Sequence, residues 1–143
     1  MALREKPPLW FWIVGVLMLL WNGVGVMAYV AEATMSAETL RALPEGQRAL
    51  LLSRPAWATA AYAVAVFGGV AGCLLLLIRR RLAIPVLVLS LLGVLVQLGH
   101  AFGIAGALHV LGPTGAVLPA LVLAGALFLV WFARRARMKG WLR

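Results

Sequence analysis

Four long apolar runs dominate the chain, and short polar segments rich in arginine separate them. The runs cover residues 9–30, 57–78, 82–104 and 114–132. Each has close to the roughly 20 residues that a helix needs to cross the hydrocarbon of a bilayer. Because backbone groups in lipid must form their hydrogen bonds within the protein, each run is predicted to be a transmembrane helix. The pattern therefore predicts an all-α fold, an integral membrane four-helix bundle that forms one domain over residues 1–143.

The composition indicates that lipid is the solvent for most of the chain. Hydrophobic residues make up 64% and charged residues 12% of the sequence, whereas soluble domains average roughly 45–50% and about 25%. A soluble domain of this size buries only about two-thirds of its surface, which is too little to hide so many apolar side chains. The single cysteine, Cys73, lies inside an apolar run, which excludes a disulfide framework.

The net charge of +9 is concentrated at the ends of the apolar runs. Ten of the thirteen Lys and Arg residues lie in the N-terminal segment, in residues 79–81 and in the basic tail 133–143, and the other three lie in residues 32–56. Because positive charge favours the cytoplasmic side, we expect both termini in the cytoplasm (N-in/C-in) of a bacterial inner membrane. At that face the basic side chains are expected to contact anionic lipid, and nucleic acid is not an expected partner.

Tryptophans are expected to mark the two membrane–water interfaces. With both termini inside, one group falls at the cytoplasmic interface: Trp10, Trp12, Trp131 and Trp141. Trp57 starts the second run and falls at the outer interface. The aromatic residues therefore agree with the orientation that the charges predict.

Residues 32–56, between the first two runs, form the only sizeable polar segment. Ser36 has the residue type of a helix N-cap, and Pro44 interrupts the segment and opens a second short helix. Four leucines fall near one helical stripe: Leu40, Leu43, Leu50 and Leu51. The segment is predicted to be an amphipathic periplasmic helical cap. It either lies on the outer mouth of the bundle, or it docks a periplasmic partner or covers a site.

Two glycine pairs with GxxxG spacing lie in the apolar runs, Gly68 with Gly72 and Gly99 with Gly103. Small residues let helix backbones approach closely in lipid, where packing rather than water drives association. We predict that both pairs pack helices within the bundle, and a seam between two copies of the chain is the alternative. A homo-oligomer or a larger membrane complex is accordingly expected.

A few polar side chains interrupt the apolar runs at membrane depth. Residues 90, 93, 97 and 100 share one face of a helix, which gives a stripe that climbs toward the outer surface. Polar groups at this depth face the bundle interior and need partners. One interpretation is structural hydrogen bonding between helices, and the other is a small polar cavity, open outward, that binds a ligand. The candidate ligand-binding residues are Asn22, Ser90, Gln97, His100, Tyr29, Glu32 and Tyr62.

Catalytic and cofactor sites are not expected. The sequence contains no aspartate, so no Ser-His-Asp set can be assembled. The two histidines, His100 and His109, belong to one hairpin, which suits neither a metal motif nor a haem held by two facing histidines. The sequence therefore predicts a protein that is not an enzyme and holds no cofactor or metal.

Several short stretches of the chain match a known pattern. They are Leu20-Trp21-Asn22-Gly23, Thr34-Met35, Ala42-Leu43-Pro44-Glu45, Pro55-Ala56-Trp57-Ala58-Thr59-Ala60, Gly68-Gly69, Leu89-Ser90-Leu91, Gln97 with His100, and Trp131 through Arg135. In these stretches the chain resembles a family of short bacterial four-transmembrane-helix proteins of uncharacterised function, which automatic naming often calls "sugar transporter". The resemblance implies the four-helix membrane fold over most of the chain and carries over no binding residues.

Two functions from different classes fit these features. The first is a small inner-membrane protein that binds or passes a small solute through an outward-facing polar cavity. Four helices are few for an alternating-access carrier, which usually has two repeats, so a homo-oligomer would supply the second repeat. The second function is a non-catalytic accessory or assembly subunit of a larger membrane protein complex, with the glycine faces and the cap as its contacts.

Overall fold

The computed structural model describes residues 6–104, 106, 108–109 and 112–143, and the regular secondary structure of these residues is helical throughout. Four helices are long and apolar enough to cross a membrane, which confirms that prediction. They are α1 (Leu9–Ala33), α4 (Ala56–Leu77), α5 (Ala83–Leu98, continued by a π-helical segment Gly99–Ile104) and α6 (Val117–Met138, preceded by a 3₁₀ turn Pro113–Ala116). Two short helices, α2 (Ala37–Ala42) and α3 (Glu45–Ser53), connect α1 to α4.

The four long helices pack against one another in chain order and close into a bundle. Helix α4 packs against α1 on one side and α5 on the other, and α5 packs against α6. Along most of their described length the backbones of α1 and α6 lie apart, and large side chains such as Phe11 and Phe132 bridge them. The bundle therefore has three tight seams and one loose one.

Glycines make the seam between α4 and α5 tight. A Cβ atom at Gly93 would lie 2.7 Å from the carbonyl oxygen of Ala61, and one at Gly68 would lie 3.2 Å from the Cβ of Ser90. Gly72 faces the side chain of Leu87 in the same way. The pair Gly68 and Gly72 thus packs α4 against α5 within the chain.

The second glycine pair is placed differently. A Cβ atom at Gly99 or at Gly103 would have nothing within 4 Å among the described residues. Both glycines are exposed and lie in the π-helical segment. GxxxG spacing shows only that a helix has a small-residue face, and the close contact on α5 is made by Gly93 instead.

The apolar core lies at the end of the bundle that carries the arginine-rich segments, here called the basic end. Its buried residues are Phe11, Cys73, Leu76, Ala83, Leu87, Leu129, Phe132, Ala133, Ala136, Trp141 and Leu142. The rings of Phe11 and Phe132 stack with centroids 5.6 Å apart, and Trp141 meets Phe11 edge-on at 5.6 Å. This aromatic cluster closes the loose seam between α1 and α6 at the basic end.

The C-terminal residues join this core instead of forming a separate tail. Helix α6 runs to Met138, and Gly140, with φ of 77°, reverses the chain direction there. The Trp141 N–H then bonds the Ala136 carbonyl at 2.9 Å, as in a Schellman cap. Trp141 is 4% exposed. The glycine reversal thus folds the indole into the bundle at the basic end, and the placement of Trp141 at the membrane interface stays a prediction.

Three hydrogen bonds tie these C-terminal residues to the turn between α4 and α5. The Arg81 N–H donates to the Arg143 carbonyl at 2.9 Å, and the Arg143 N–H donates to the Arg79 carbonyl at 2.7 Å. The Arg79 Nε also donates to the Trp141 carbonyl at 2.7 Å. We call the paired residues 79–81 and 141–143 the basic clasp.

The helices α2 and α3 at the other end are held more loosely. Ser36 caps α2 as expected, accepting a hydrogen bond from the Thr39 N–H at 3.1 Å, and Pro44 precedes α3. No residue of either helix is fully buried, and the four leucines of the predicted stripe are half-buried. Their apolar face therefore contacts the bundle without entering its core.

Candidate ligand cavity

A cavity of about 390 Å³ lies between α1, α4, α5 and α6. Its volume falls within the range of roughly 300–1,000 Å³ that is typical of small-molecule sites. The deep end is lined by Leu87 and Leu129, which border the core of the basic end. The other end, here called the mouth, is lined by Glu32, Arg54 and Tyr62, where α1 ends and α4 begins. Five of the predicted ligand-binding residues line this cavity: Asn22, Glu32, Tyr62, Ser90 and Gln97.

Asn22 is fixed in the wall by its own hydrogen bonds. Its Nδ2 donates to the Met18 carbonyl at 2.8 Å and lies 3.7 Å from the Cys73 sulfur on α4. The side chain fits because residue 69 is a glycine: a Cβ atom there would overlap the Asn22 Oδ1. Gly69 is therefore a positioning residue for Asn22. In the sequence, the adjacent glycines 68 and 69 indicated a small-residue face on α4. They did not indicate that Gly68 makes room for α5 and Gly69 for α1.

Ser90 is also committed to the protein. It is buried, and its hydroxyl donates to the Ala65 carbonyl across the α4–α5 seam at 2.6 Å. The hydrogen-bond donors of Asn22 and Ser90 are thus used within the protein: Ser90 bonds across helices, whereas the short bond of Asn22 goes to its own helix. The deep half of the cavity consequently presents few donors to a ligand.

The mouth holds an ion pair. The Arg54 Nη1 lies 2.9 Å from the Glu32 Oε2, and the two side chains are 23% and 35% exposed. The Arg54 guanidinium also lies over the Tyr62 ring, 5.5 Å from its centroid. Sequence reasoning did not include Arg54 in the site. The sequence feature that could have placed it there is its position directly before Pro55, the residue that caps α4 close to the end of α1.

Gln97 links the two halves of the wall. It lies seven residues beyond Ser90 on α5, about 10 Å along the helix axis toward the mouth. Its amide is half-buried and lines the same cavity as Glu32 and Tyr62. The polar side chains of the cavity therefore increase in number from the deep end to the mouth.

Two predicted site residues lie outside this cavity. Tyr29 stacks on Tyr62 with centroids 5.2 Å apart and lines a second hollow, of about 230 Å³, beneath the leucines of α2 and α3. His100 is 8% exposed and packs edge-on against Trp57 at 5.2 Å. Like Ser90, His100 faces α4, but it lies nearer the start of that helix, where it packs against Trp57 outside the cavity.

Helix α6 supplies one wall of the cavity, and no sequence pattern indicated that it would. Its contribution includes Leu118, Val122 and Gly125, all apolar. A Cβ atom at Gly125 would lie 3.4 Å from the Trp21 Nε1, so the indole of α1 reaches across the loose seam toward this glycine. Apolar residues in an apolar helix carry no pattern that separates a cavity wall from a lipid-facing surface.

Metal ligation has no structural support among the described residues, where no group of three or more His, Cys, Asp or Glu side chains could hold an ion. In the comparisons with known proteins, no family model, no curated protein and no solved structure matches the chain. The family resemblance noted from the residues thus stays an expectation, and the cavity is the feature that bears on function.

Proposed function

We propose that the chain is a small inner-membrane protein that binds a small molecule in the cavity between α1, α4, α5 and α6, with the mouth on the outer side of the membrane. One observation carries this proposal: five separately predicted polar residues line a single cavity of ligand size. Binding is favoured over passage, because Phe11, Phe132 and Trp141 close the bundle below the deep end.

The orientation of the mouth is tested by cysteine labelling in a Cys73→Ala background. Cysteines at Glu45 and Gly112 are expected to react with a membrane-impermeant maleimide from the periplasm. A cysteine at Lys139 is expected to react only after the membrane is opened, because the basic side chains favour the cytoplasm and its anionic lipid. Labelling of the Lys139 cysteine from the periplasm would contradict this orientation of the chain.

Access to the cavity is tested in the same background with a charged methanethiosulfonate reagent. Gln97→Cys lines the cavity and should react, because water in the mouth lets its thiol ionise. Leu95→Cys lies on the same helix but faces outward, with 46% of the native side chain exposed, and serves as the matched control in lipid. Equal reactivity of the two cysteines would refute an open, water-filled mouth.

The second candidate function, an accessory or assembly subunit of a larger membrane complex, has one observation in its favour. Gly99 and Gly103 present a small-residue face that no described residue of this chain covers. Close approach of a helix from another chain would use such a face. Gly99→Leu should then abolish co-purification of a partner chain or of a second copy, whereas Gly23→Leu, on an open position of α1, should not.

A further inference from the structure

We propose that the cavity takes a single-chain amphiphile whose head group carries a phosphate and an amine, and that this molecule enters sideways from the bilayer between α1 and α6. The inference rests on the proposed ligand-binding function and names the class of ligand. It is carried by the loose seam, by the change in polarity with depth and by the two charges at the mouth.

The loose seam opens the cavity toward the bilayer. Val24 of α1 and Leu118 of α6 line the cavity from its two sides, and they are 60% and 62% exposed. Toward the basic end the opening is closed by the stacked rings of Phe11 and Phe132. An amphiphile can therefore enter from the side without crossing the polar mouth.

The length of the opening suits an acyl chain better than a partner helix. Asn22 and Glu32, near the two ends of the cavity wall on α1, are ten residues apart, about 15 Å along the axis. A partner helix that spans the membrane needs a groove of about 30 Å, and the aromatic cluster interrupts the seam before that length is reached.

The cavity becomes less polar from the mouth to the deep end, and this change favours an apolar chain at the deep end. The donors of Asn22 and Ser90 are already bonded inside the protein, and Leu87, Val122 and Leu129 form the remaining deep wall. A sugar or another polyhydroxyl solute placed there would leave hydroxyl groups without partners, at a cost of about 1–3 kcal/mol for each. An acyl chain has no hydrogen bonds of its own to lose in this environment.

The mouth suits a zwitterionic head group. Glu32 and Arg54 are the two charged side chains among the residues that line the cavity, and their charges cancel. A guanidinium binds a phosphate through paired N–H groups, and a carboxylate accepts hydrogen bonds from an ammonium group. A head group with both charges exchanges the Arg54–Glu32 pair for two new pairs and keeps the mouth neutral.

The test uses the purified full-length protein in lipid nanodiscs and a lysophosphatidylethanolamine with a diazirine at the end of its chain. Irradiation is expected to give saturable cross-links to the deep wall around Leu87 or Leu129. An excess of glycerophosphoethanolamine, which has the head group without the chain, is expected not to compete. Competition by this soluble molecule would mean that a small polar solute is the ligand and would overturn the amphiphile.

Variants of the cavity wall and of the mouth test the acyl-chain site and the head-group site. Val122→Trp fills the cavity and should lower saturable labelling by at least about tenfold. Leu121→Trp, the matched control, adds the same indole to the preceding residue, which is 53% exposed and does not line the cavity, and should leave labelling unchanged. Glu32→Gln removes the negative charge from the mouth and should shift preference toward a diazirine lysophosphatidylglycerol, an anionic probe, without moving the cross-links.

Failure of this inference is distinguishable from failure of the proposed function. Labelling that does not saturate, or that is equal in both tryptophan variants, would overturn the amphiphile. If Gln97→Cys still reacts with the charged reagent, the cavity remains a ligand site with another ligand class. If Gln97→Cys is also unreactive, both proposals are wrong.

Discussion

The two ends of the bundle use the same kinds of residues in opposite ways. At the basic end, Phe11, Phe132 and Trp141 fill the space between helices and exclude everything else. In the cavity, Tyr62 at the mouth and Trp21 farther in line a space that the protein leaves unfilled. The chain seals one end with a core and the clasp, and it holds the other with a single ion pair and two short helices. Aromatic content alone thus does not distinguish a core from a site.

The largest difference between the ends is expected for phenylalanine truncation. Phe132→Ala, at a residue 2% exposed, should lower the free energy of unfolding by roughly 3–5 kcal/mol, because the core cannot collapse around the lost ring. Phe67→Ala, at a residue 48% exposed, should cost below about 1 kcal/mol. Reversible unfolding in mixed micelles of dodecyl sulfate measures both. Equal losses would mean that the basic end is no better packed than the rest.

A second prediction concerns the seam that both ends share. Gly93→Ala should cost about 1–3 kcal/mol, because the new Cβ would lie 2.7 Å from the backbone of Ala61 and would force α4 and α5 apart. Gly99→Ala meets open space and should be neutral, or stabilising by up to about 1 kcal/mol through helix propensity. The same unfolding measurement separates them, and a destabilising Gly99→Ala would place an unseen contact on that face.

Much of the fold was predictable because segments that contact lipid must be apolar, and the apolar runs therefore indicate where the long helices lie. The run at 9–30 became α1, which continues to Ala33, and the run at 114–132 became α6, which continues to Met138. A helix does not have to stop where the lipid stops. The burial of Trp141 was not predictable, because it depends on Gly140 and on residues 79–81, far away in sequence.

The candidate site was only partly predictable, for similar reasons. Asn22, Ser90 and Gln97 stood out because polar residues are rare in the apolar runs and must face the protein. His100 faces α4 as Ser90 does, but it packs against Trp57 outside the cavity, which periodicity alone cannot indicate. Arg54 was counted only as one of three basic residues in segment 32–56, although pairing with Glu32 places it at the mouth.

At the cavity, a smaller effect is expected from Asn22→Ala. It removes the bond to the Met18 carbonyl and the contact with Cys73, and should lower the free energy of unfolding by about 0.6–2 kcal/mol, the range of hydrogen bonds within membranes. Gly23→Ala, the next residue, has no atom within 4 Å of its Cβ and is the matched control. If Asn22→Ala lowered the free energy of unfolding as much as Phe132→Ala, the cavity wall would be as tightly packed as the core.

The smallest effect is expected at α2 and α3. Leu51→Glu places a charge in the hollow beneath these helices and should increase proteolysis between Thr34 and Arg54, with a change below about 1 kcal/mol in global stability. Ala49→Glu changes an exposed residue of the same helix that does not line the hollow, and it should leave the rate unchanged. Identical rates for the two variants would show that the apolar face of α3 is not held against the bundle.

The basic clasp also imposes an order on biosynthesis. Residues 79–81 leave the ribosome with α4 and then wait for partners that lie up to 64 positions later in the chain. At about 5–20 residues per second, translation needs roughly 3–13 seconds to deliver those partners. During that interval Phe11 lacks the indole that packs against its ring in the folded protein. An insertase or another helix that shelters this end would act in that window, and chains stalled before residue 141 should cross-link to it more strongly than finished ones.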